Sequence, residues 1–459
     1  MRTRRKIRLA VLSCVVGAAA FVVSPGAPPA ARDAESSAIE RSASTHVAHG
    51  GLSGKRHERY LYVATIAQSA TDPDFVAVIG ADPRRSHFGQ IVNRIDMPNV
   101  GDELHHFGYS ADQDRLIVPG LLSNRIHVFE IKGVGKRMGL IAVNEELAAD
   151  SGYIIPHGVM TVHDMTIVSM IGAATDTTLP GGIVEIDDRT GAFEEYFGPA
   201  PERDPDDLGP TYMYDFAALH EADRGISTTF GPPALCGGGI DPACLGGEVS
   251  VWDLEQEEVI QVANLGTNSG ALEVRFIRQP GVRRAFINTP GTSAVWLADD
   301  DDRDGVFEFQ QVLGPEDGLV LPADMLLSYD NKYLYVTNWF GDTVQQFDVT
   351  DPLDPVLRAA VSVPHPNMLR LSRDNRRLYV SNSLLTPWDN DPDFGPPRNS
   401  DYGIWLFDVD TRSGGLTPFN ADGSAWVSFE NVEKSSTTGP AGPHMMLFDP
   451  SIELLPGEH

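Results

Sequence analysis

The chain contains few cysteines and few cations, and it lacks two common catalytic sequence patterns. Its 459 residues include 3 Cys, and 35 Lys and Arg residues stand against 64 Asp and Glu residues, a formal net charge of −29. Such an acidic chain repels phosphate groups, so we expect neither nucleic acid nor an anionic membrane surface as a partner. The absence of a Gly-x-Gly-x-x-Gly pattern after a strand and of a Gly-x-Ser-x-Gly elbow argues against a dehydrogenase and a hydrolase.

Long hydrophobic runs are also scarce, and the clearest one lies at the N-terminus. Eight residues rich in Arg and Lys precede the apolar run Leu9–Val23, which is too short to span a membrane comfortably, and small residues follow at Ala27–Ala31. This pattern predicts an export signal over residues 1–31. The pair Arg4 and Arg5 suggests export by the twin-arginine route.

The predicted signal sets the expected domain organisation. Residues 32–57 are rich in Ala, Ser, His and Gly, and we expect a flexible lead-in there. Residues 58–459 show no long low-complexity linker, so we expect them to form a single domain. The mature protein is predicted to be periplasmic or extracellular, without a membrane segment once the signal is removed.

Two cysteines remain after removal of the signal, because Cys14 lies inside its apolar run. Cys236 and Cys244 lie in a glycine-rich stretch, Leu235–Leu245. Two close cysteines in an exported chain favour a disulfide. The alternative is that both thiols are soft ligands for copper or selenium.

An internal repeat indicates the fold. The segment Ser328–Asn338 recurs about 44 residues later as Ser372–Asn382, and a weaker copy begins at Ser110. Each copy alternates apolar residues and leads to a second strand-like run, with Gly, Asn and Asp between runs. These features predict an all-β, seven-bladed β-propeller. The segments beginning at Tyr60 and ending at Phe448 are each too short to form a blade, so we expect the N- and C-terminal strands to close one blade together.

Several histidines stand at the starts of predicted inner strands. His105 and His106 open one strand, and His157 and His444 open two others; the remaining starts are predicted near Tyr214, Leu272, Asp324 and Pro366. Inner strands of a propeller converge on one axis, and neutral imidazole is a common metal ligand, so this spacing predicts a metal site. Neighbouring residues of an extended strand point to opposite faces, so His105 and His106 can share one ion only if a bulge or turn intervenes. Four other histidines are interpreted as ordinary structural or surface residues: His127, His163, His220 and His365.

Extended motifs connect the chain to a known family. The run Met97–Tyr109 contains Met-Pro-Asn followed by Glu-Leu-His-His, and Leu116–Val128 follows it. Further matching segments are Tyr214–Phe216, Glu248–Asp253, Leu272–Phe276, Asp324–Ser328, Thr337–Trp339 and Ser383–Asp389. Over nearly all of residues 58–450 the chain resembles the selenium-binding protein family, which includes the copper-dependent methanethiol oxidases.

The resemblance implies a propeller with a copper site made of histidines. It also implies oxidation of a small thiol by oxygen and water, which gives an aldehyde, hydrogen sulfide and hydrogen peroxide. The positions that match the family's motifs are the candidate copper ligands His105, His106, His157 and His444. We expect Asp215, Glu273 and Asp324, at the starts of neighbouring inner strands, to orient these imidazoles, and Glu273 and Asp324 are the candidate proton acceptors.

The chain also departs from the family pattern. No cysteine lies in Lys55–Tyr60, where animal members carry the one linked to selenium, so we do not predict selenium binding. Glu248 and Met160 replace two further family histidines. Two alternatives therefore stay open beside the oxidase: an exported propeller that holds copper or another soft ion without turnover, and a scaffold for a partner protein.

Overall fold

A computed structural model of the protein describes residues 58–132, 137–201, 209, 211–236, 242–390, 401–433 and 438–450. The predicted export signal, the lead-in up to residue 57 and Cys14 lie outside these residues and stay predictions. In the described part of the chain, no helix combines the length and apolarity needed to cross a membrane.

The described residues form seven antiparallel sheets arranged as propeller blades, each with at least four strands. Blade 1 receives β1 (Tyr60–Ala67), β2 (Phe75–Gly80) and β3 (Ile91–Asp96). Blade 2 contains β4 (Gly108–Tyr109), β5 (Arg115–Gly120), β6 (Arg125–Lys132) and β7 (Arg137–Asn144). Blade 3 contains β8 (Tyr153–Val162), β9 (Met165–Ala173), β10 (Pro180–Ile186) and β11 (Phe193–Phe197). Blade 4 contains β12 (Met213–Leu219), β13 (Arg224–Thr229), β14 (Glu248–Asp253) and β15 (Glu258–Asn264).

The remaining blades follow in chain order. Blade 5 contains β16 (Val274–Phe276), β17 (Arg284–Thr289), β18 (Ala294–Asp299) and β19 (Glu308–Leu313). Blade 6 contains β20 (Pro322–Leu327), β21 (Tyr333–Asn338), β22 (Thr343–Asp348) and β23 (Val356–Ser362). Blade 7 contains β24 (Leu369–Leu371), β25 (Arg377–Ser381), β26 (Gly403–Val409), β27 (Leu416–Pro418) and β28 (Val427–Ser428), which pairs with β26. A separate two-stranded ribbon is formed by β29 (Val432–Glu433) and β30 (Thr438–Gly439).

Helices are short and lie between strands. The α-helices are α1 (Leu147–Ser151), α2 (Pro233–Cys236) and α3 (Thr386–Asp389), and the 3₁₀ turns are His220–Ala222, Pro242–Cys244, Pro290–Thr292 and Pro315–Asp317. The core lies mainly between neighbouring blades, because the strands alternate their side chains between two faces that both meet another sheet. One such cluster joins Ile117 and Val128 of blade 2 to Val159 and Val168 of blade 3.

The ends of the chain close the ring, as the sequence predicts. The last strand, β31 (Ala441–Phe448), pairs antiparallel with β1, so blade 1 has the order β3-β2-β1-β31. Its junction is fixed by Asp449, whose carboxylate accepts hydrogen bonds from the backbone N–H groups of Arg59 at 2.9 Å and Tyr60 at 2.7 Å. Pairing the termini leaves the ring without an open edge at this blade. The predicted seven-bladed propeller with a shared closing blade is confirmed.

We expect the replacement Asp449→Ala to lower the free energy of unfolding by about 1–3 kcal/mol, because two backbone donors at the junction lose their acceptor. Asp449→Asn keeps an acceptor oxygen in the same place and should lose less. Chemical denaturation of both variants measures the difference. Equal stability of Asp449→Ala and the wild type would show that this junction does not hold the ring closed.

Four inner strands carry the same irregularity. In β8, β12, β20 and β31, the inner strand advances three residues while its partner advances two. Such a bulge bends the strand and re-aims its side chains. The residues inside these bulges are His157 and Gly158, Tyr214 and Asp215, Ala323 and Asp324, and His444 and Met445.

Hydroxyl groups of the second strands complete three of these bulges. The backbone N–H groups of Gly158, Asp215 and Asp324 donate to Ser169 Oγ at 2.9 Å, Thr228 Oγ1 at 3.0 Å and Thr337 Oγ1 at 2.8 Å. These contacts satisfy backbone donors that the disturbed ladder leaves unpaired. Hydrogen bonds therefore stabilise these bulges, and each bulge places a polar or ionisable residue at the hub.

Candidate metal centre

Four imidazoles from three blades meet at the hub of the propeller. The ring centroid of His105 lies 4.9 Å from that of His106, 4.8 Å from that of His157 and 4.0 Å from that of His444. The centroid of His106 lies 4.3 Å from that of His157 and 5.2 Å from that of His444. His105, His106 and His157 each offer a ring nitrogen such that these three atoms lie within 4.8 Å of one another. The four histidines, which we call the histidine quartet, are all buried.

His105 and His106 reach the same place because they do not belong to an extended strand. Strand β4 begins only at Gly108, and the preceding backbone is irregular, with Glu103 at a φ of 55°. The two rings stack with an interplanar angle of 8°. This irregular segment breaks the alternation of neighbouring side chains, so His105 and His106 can face the same site.

Backbone carbonyls set the orientation of the other two rings. His157 Nδ1 lies 2.9 Å from the carbonyl oxygen of Tyr214, and His444 Nδ1 lies 2.7 Å from that of Ser383. A carbonyl oxygen only accepts hydrogen bonds, so each Nδ1 carries the proton and each Nε2 keeps its lone pair. The amide Nδ2 of Asn367, 3.0 Å from His444 Nδ1, donates to the same Ser383 carbonyl at 2.7 Å and so helps to hold that carbonyl in place. Both rings are thereby held in the tautomer that can bind a metal through Nε2.

Each imidazole of the quartet keeps one buried nitrogen without a protein partner. Among the described residues, no hydrogen-bond partner reaches Nδ1 of His105 or Nε2 of His106, His157 and His444. Burial lowers the pKa of His157 to about 3 and that of His444 to about 4. Burial, reinforced by the neighbouring imidazoles, also lowers the pKa values of His105 and His106 well below the usual range. Four neutral imidazoles with free nitrogens are a donor set that suits a soft or borderline metal ion.

A cluster of three carboxylates around one arginine lies beside the quartet. Arg275 donates to Asp215 at 2.6 Å, to Glu273 at 2.6 Å and to Asp324 at 3.3 Å. Glu273 Oε1 lies 4.0 Å from His106 Nδ1 and has no hydrogen-bond partner among the described residues. Burial raises the pKa of Glu273 well above its usual range and that of Asp324 to about 6, although Arg275 opposes both shifts. Burial lowers the pKa of Arg275, but the three carboxylates outweigh it and raise that pKa overall.

The three acidic residues therefore differ in their relation to the quartet. Glu273 approaches His106, whereas Asp215 accepts hydrogen bonds from Arg275 and from the backbone N–H of Val274. Asp324 directs its oxygens to Arg275 and to the backbone N–H groups of Met325 and Leu369. Its contacts hold three inner strands together, and none of its hydrogen bonds goes to an imidazole of the quartet.

The other residues singled out in the sequence lie elsewhere. His127 Nδ1 faces the carbonyl of Val118, His365 Nδ1 faces that of Trp339, and His163 pairs with His220 at 5.3 Å between centroids. Met160 is buried in the core between blades 3 and 4, and Glu248 accepts a hydrogen bond from Thr211 Oγ1 at 2.9 Å. Cys236 and Cys244 are joined by a disulfide, with 5.4 Å between their Cα atoms.

Sequence reasoning missed Arg275 and Asn367. Glu273 and Arg275 are two residues apart in an extended segment, and this spacing places them on one face of a strand. That pattern could have identified Arg275 as the cation facing the channel. Asn367 has no comparable signal, because its role depends on a carbonyl and an imidazole that are distant in sequence.

Comparison with known proteins assigns this architecture to a family. The model of the 56 kDa selenium-binding protein family, SBP56, matches residues 47–449. The chain belongs to this family. Its match includes all four histidines of the quartet and both ends of the closing blade.

Relatives within the SBP56 family include proteins with two kinds of name. Selenium-binding protein 2 of Arabidopsis thaliana is 27% identical over 466 residues, 86% of this chain and 91% of the relative. Methanethiol oxidase of Homo sapiens is 26% identical over 434 residues, 80% of this chain and 89% of the relative. The X-ray structure of a hypothetical selenium-binding protein from Sulfolobus tokodaii superposes with a TM-score of 0.73 at 26% identity, over 86% of this chain and 94% of that chain. The name methanethiol oxidase describes an oxidoreductase, and several relatives carry it.

Proposed function

We propose that this SBP56 protein holds one copper ion on His105, His106, His157 and His444 and oxidises a small, methanethiol-like thiol. The observation that carries this proposal is the set of four buried ring nitrogens, one on each imidazole, that have no partner among the described residues. Buried polar atoms in folded proteins almost always have a partner, so four of them on neighbouring imidazoles, three of which can bring ring nitrogens within 4.8 Å of one another, fit a bound ion. Relatives named methanethiol oxidase support the choice of reaction.

The proposed reaction balances with oxygen and water as co-reactants. One methanethiol, one dioxygen and one water give one formaldehyde, one hydrogen sulfide and one hydrogen peroxide. One C–H bond and the C–S bond break, and the water oxygen becomes the aldehyde oxygen. Two electrons leave carbon and reduce dioxygen to peroxide. Bound copper would supply a soft binding site for sulfur and a one-electron redox couple.

The residues of this chain would perform four tasks around the ion. The carbonyls of Tyr214 and Ser383 hold the rings of His157 and His444 so that Nε2 faces the site. Burial of the quartet excludes bulk water, which limits the escape of reactive intermediates. Glu273 would accept the proton released from the substrate, because its Oε1 is buried, has no hydrogen-bond partner among the described residues and lies near His106. Asp324, with its oxygens engaged by Arg275 and backbone N–H groups, would position the inner strands.

The direct test uses full-length protein loaded with copper in vitro. We expect about one copper ion per chain and, on addition of methanethiol, oxygen uptake with matching amounts of hydrogen peroxide and hydrogen sulfide. The metal-free protein serves as the control and should show no oxygen uptake and no formation of hydrogen peroxide or hydrogen sulfide. One copper ion without oxygen uptake would favour the metal-binding propeller without turnover. No bound copper, together with a stable partner protein in a pull-down, would favour the scaffold.

We also propose that the chain is exported. The basic and apolar segments before residue 32 fit an export signal, and a disulfide such as Cys236–Cys244 persists in oxidising compartments. Mass spectrometry of the N-terminus of protein recovered from its native host tests this proposal. A mature chain that begins near residue 32 is the expected result, and an intact Met1 in the cytoplasm would contradict it.

A further inference from the structure

An apolar roof covers the quartet on the side where the inner strands begin. The ring of Tyr214, 3.7 Å from His157, stacks on Phe230 at 5.8 Å, and Phe230 stacks on Trp388 at 6.0 Å. Leu384 packs in the same apolar cluster. We define the roof as Phe230, Leu384 and Trp388. Leu384 and Trp388 are only 7% and 8% exposed, so the roof closes over the hub.

The roof comes from two loops that meet above the hub. Phe230 follows β13, and Leu384 and Trp388 lie in the connection between β25 and β26. Because antiparallel neighbours run in opposite directions, the ends of these second strands lie beside the starts of the inner strands. Loops belong to the less stable parts of a fold and open more readily than strands. The roof is therefore the part of the enclosure best placed to open.

Hydrogen bonds connect the roof to the segments that carry the histidines of the quartet. The carbonyl of Ser383 accepts the hydrogen bond from His444, and the backbone N–H of Thr386 donates to Glu103 at 2.7 Å, two residues before His105. Asp389 accepts from Ser383 Oγ at 2.8 Å and from the backbone N–H of Leu384 at 3.2 Å. These contacts fix the position of the connection and therefore of Trp388 above the hub.

The opposite approach to the quartet is a small cavity that reaches His106 and is bordered by charged groups. Along the channel beyond His106 lie Arg275 and its three carboxylate partners, and methionine side chains such as Met368 and Met445 complete the lining. Separation of a buried ion pair leaves charges without partners, which is strongly unfavourable. Opening the roof separates apolar rings and some of the hydrogen bonds described above, and it breaks no ion pair of Phe230, Leu384 or Trp388. Passage from the roof side therefore leaves the buried ion pairs of Arg275 intact.

We propose that Phe230, Leu384 and Trp388 form the entrance to the hub and determine which thiols reach it. The three side chains are apolar and carry no charge, so a charged group that passes between them loses its hydration without gaining a partner. Small uncharged thiols are admitted, and zwitterionic or anionic thiols such as cysteine and glutathione are excluded. The selection of thiols depends on the proposed function, whereas the existence of the entrance does not.

The entrance can be tested on metal-free protein with diethyl pyrocarbonate, a small neutral reagent that modifies accessible imidazoles. In the wild type, peptide mapping should show slow modification of His157 and His444 relative to exposed His163. Trp388→Ala should speed modification of both buried histidines at least about tenfold, because removal of a large buried ring weakens the closed state. Trp426→Ala is the matched control, because this ring packs against Phe88 and Tyr379 between blades 1 and 7.

Phe230→Ala, in the other loop, provides a second test if Trp388→Ala fails to fold. A faster modification of His157 and His444 in either folded variant supports the entrance. Rates equal to the wild type in the folded variants, or an equal increase in Trp426→Ala, would overturn it. This readout needs neither copper nor turnover.

Selection is tested on copper-loaded protein by the ratio of kcat/KM for methanethiol to that for glutathione. We expect the ratio to fall at least about tenfold in Trp388→Ala, because the apolar barrier against the charged thiol is reduced. If the wild type oxidises no thiol, the proposed function fails. The rates of histidine modification still show whether the roof is the entrance. If turnover occurs and the ratio is unchanged, the selective role of the roof is wrong and the proposed function stands.

Discussion

Replacement of His106 by alanine is expected to abolish both copper binding and thiol-dependent peroxide formation. The ring centroid of His106 lies between 4.3 and 5.2 Å from those of the three other imidazoles. Loss of groups that merely orient a ligand weakens metal affinity 10- to 100-fold, so loss of a ligand should exceed about 100-fold. Copper per chain after desalting, measured by mass spectrometry of the metal, gives the first result, and a peroxide assay gives the second.

The matched control is His163→Ala, which removes an exposed imidazole whose ring centroid lies 5.3 Å from that of His220. This variant should bind copper and turn over substrate as the wild type does. Thermal unfolding of both metal-free variants separates loss of the ligand from loss of the fold. Turnover that persists in a folded His106→Ala protein would end the proposal that the quartet holds the reactive ion.

Replacement of Arg275 by methionine is expected to lower the free energy of unfolding by about 3–5 kcal/mol, the cost of breaking a buried ion pair from one side. Its guanidinium is 19% exposed and contacts Asp215, Glu273 and Asp324, which come from three adjacent blades. Removal of the cation leaves three buried carboxylates close together without compensation. Arg275→Lys keeps the charge but loses the planar fork that reaches several carboxylates, so an intermediate loss is expected. Chemical denaturation of the metal-free proteins measures these differences.

Arg284→Met provides the comparison for Arg275. Arg284 lies in β17 of the same blade and pairs with Asp299 and Asp301, but all three side chains are between 26% and 30% exposed. A solvated pair of this kind contributes about 0–1 kcal/mol. A loss in Arg275→Met no greater than that in Arg284→Met would show that the buried cluster is not what joins the inner strands.

The blades and their closure were accessible from the sequence because they follow local patterns. The repeat at Ser328 and Ser372 shows the blade period, and the incomplete segments near Tyr60 and Phe448 require each other to form a sheet. Alternating apolar residues predict strands, since both faces of each blade are buried. The bulge at His444 could not be read in this way, because one extra residue leaves the apolar pattern of the strand almost unchanged.

The candidate site was accessible only in part. The four histidines could be selected because each matches a motif near a predicted inner strand, although His157 and His444 lie within β8 and β31 and not at the starts of these strands. The stacking of His105 on His106 depends on an irregular segment before Gly108, which the strand pattern does not indicate. The tautomer of His444 depends on a backbone carbonyl, and every residue type carries a carbonyl, so residue identity gives no signal.

The central claim is that imidazoles from separate blades together hold one copper ion, and an X-ray absorption spectrum of the copper-loaded protein without thiol tests it most directly. We expect about one copper ion per chain, surrounded by three or four imidazole nitrogens and no sulfur. The spectrum of His106→Ala should lose that signature. A copper environment with sulfur ligands, or an imidazole signature that survives in His106→Ala, would contradict the account.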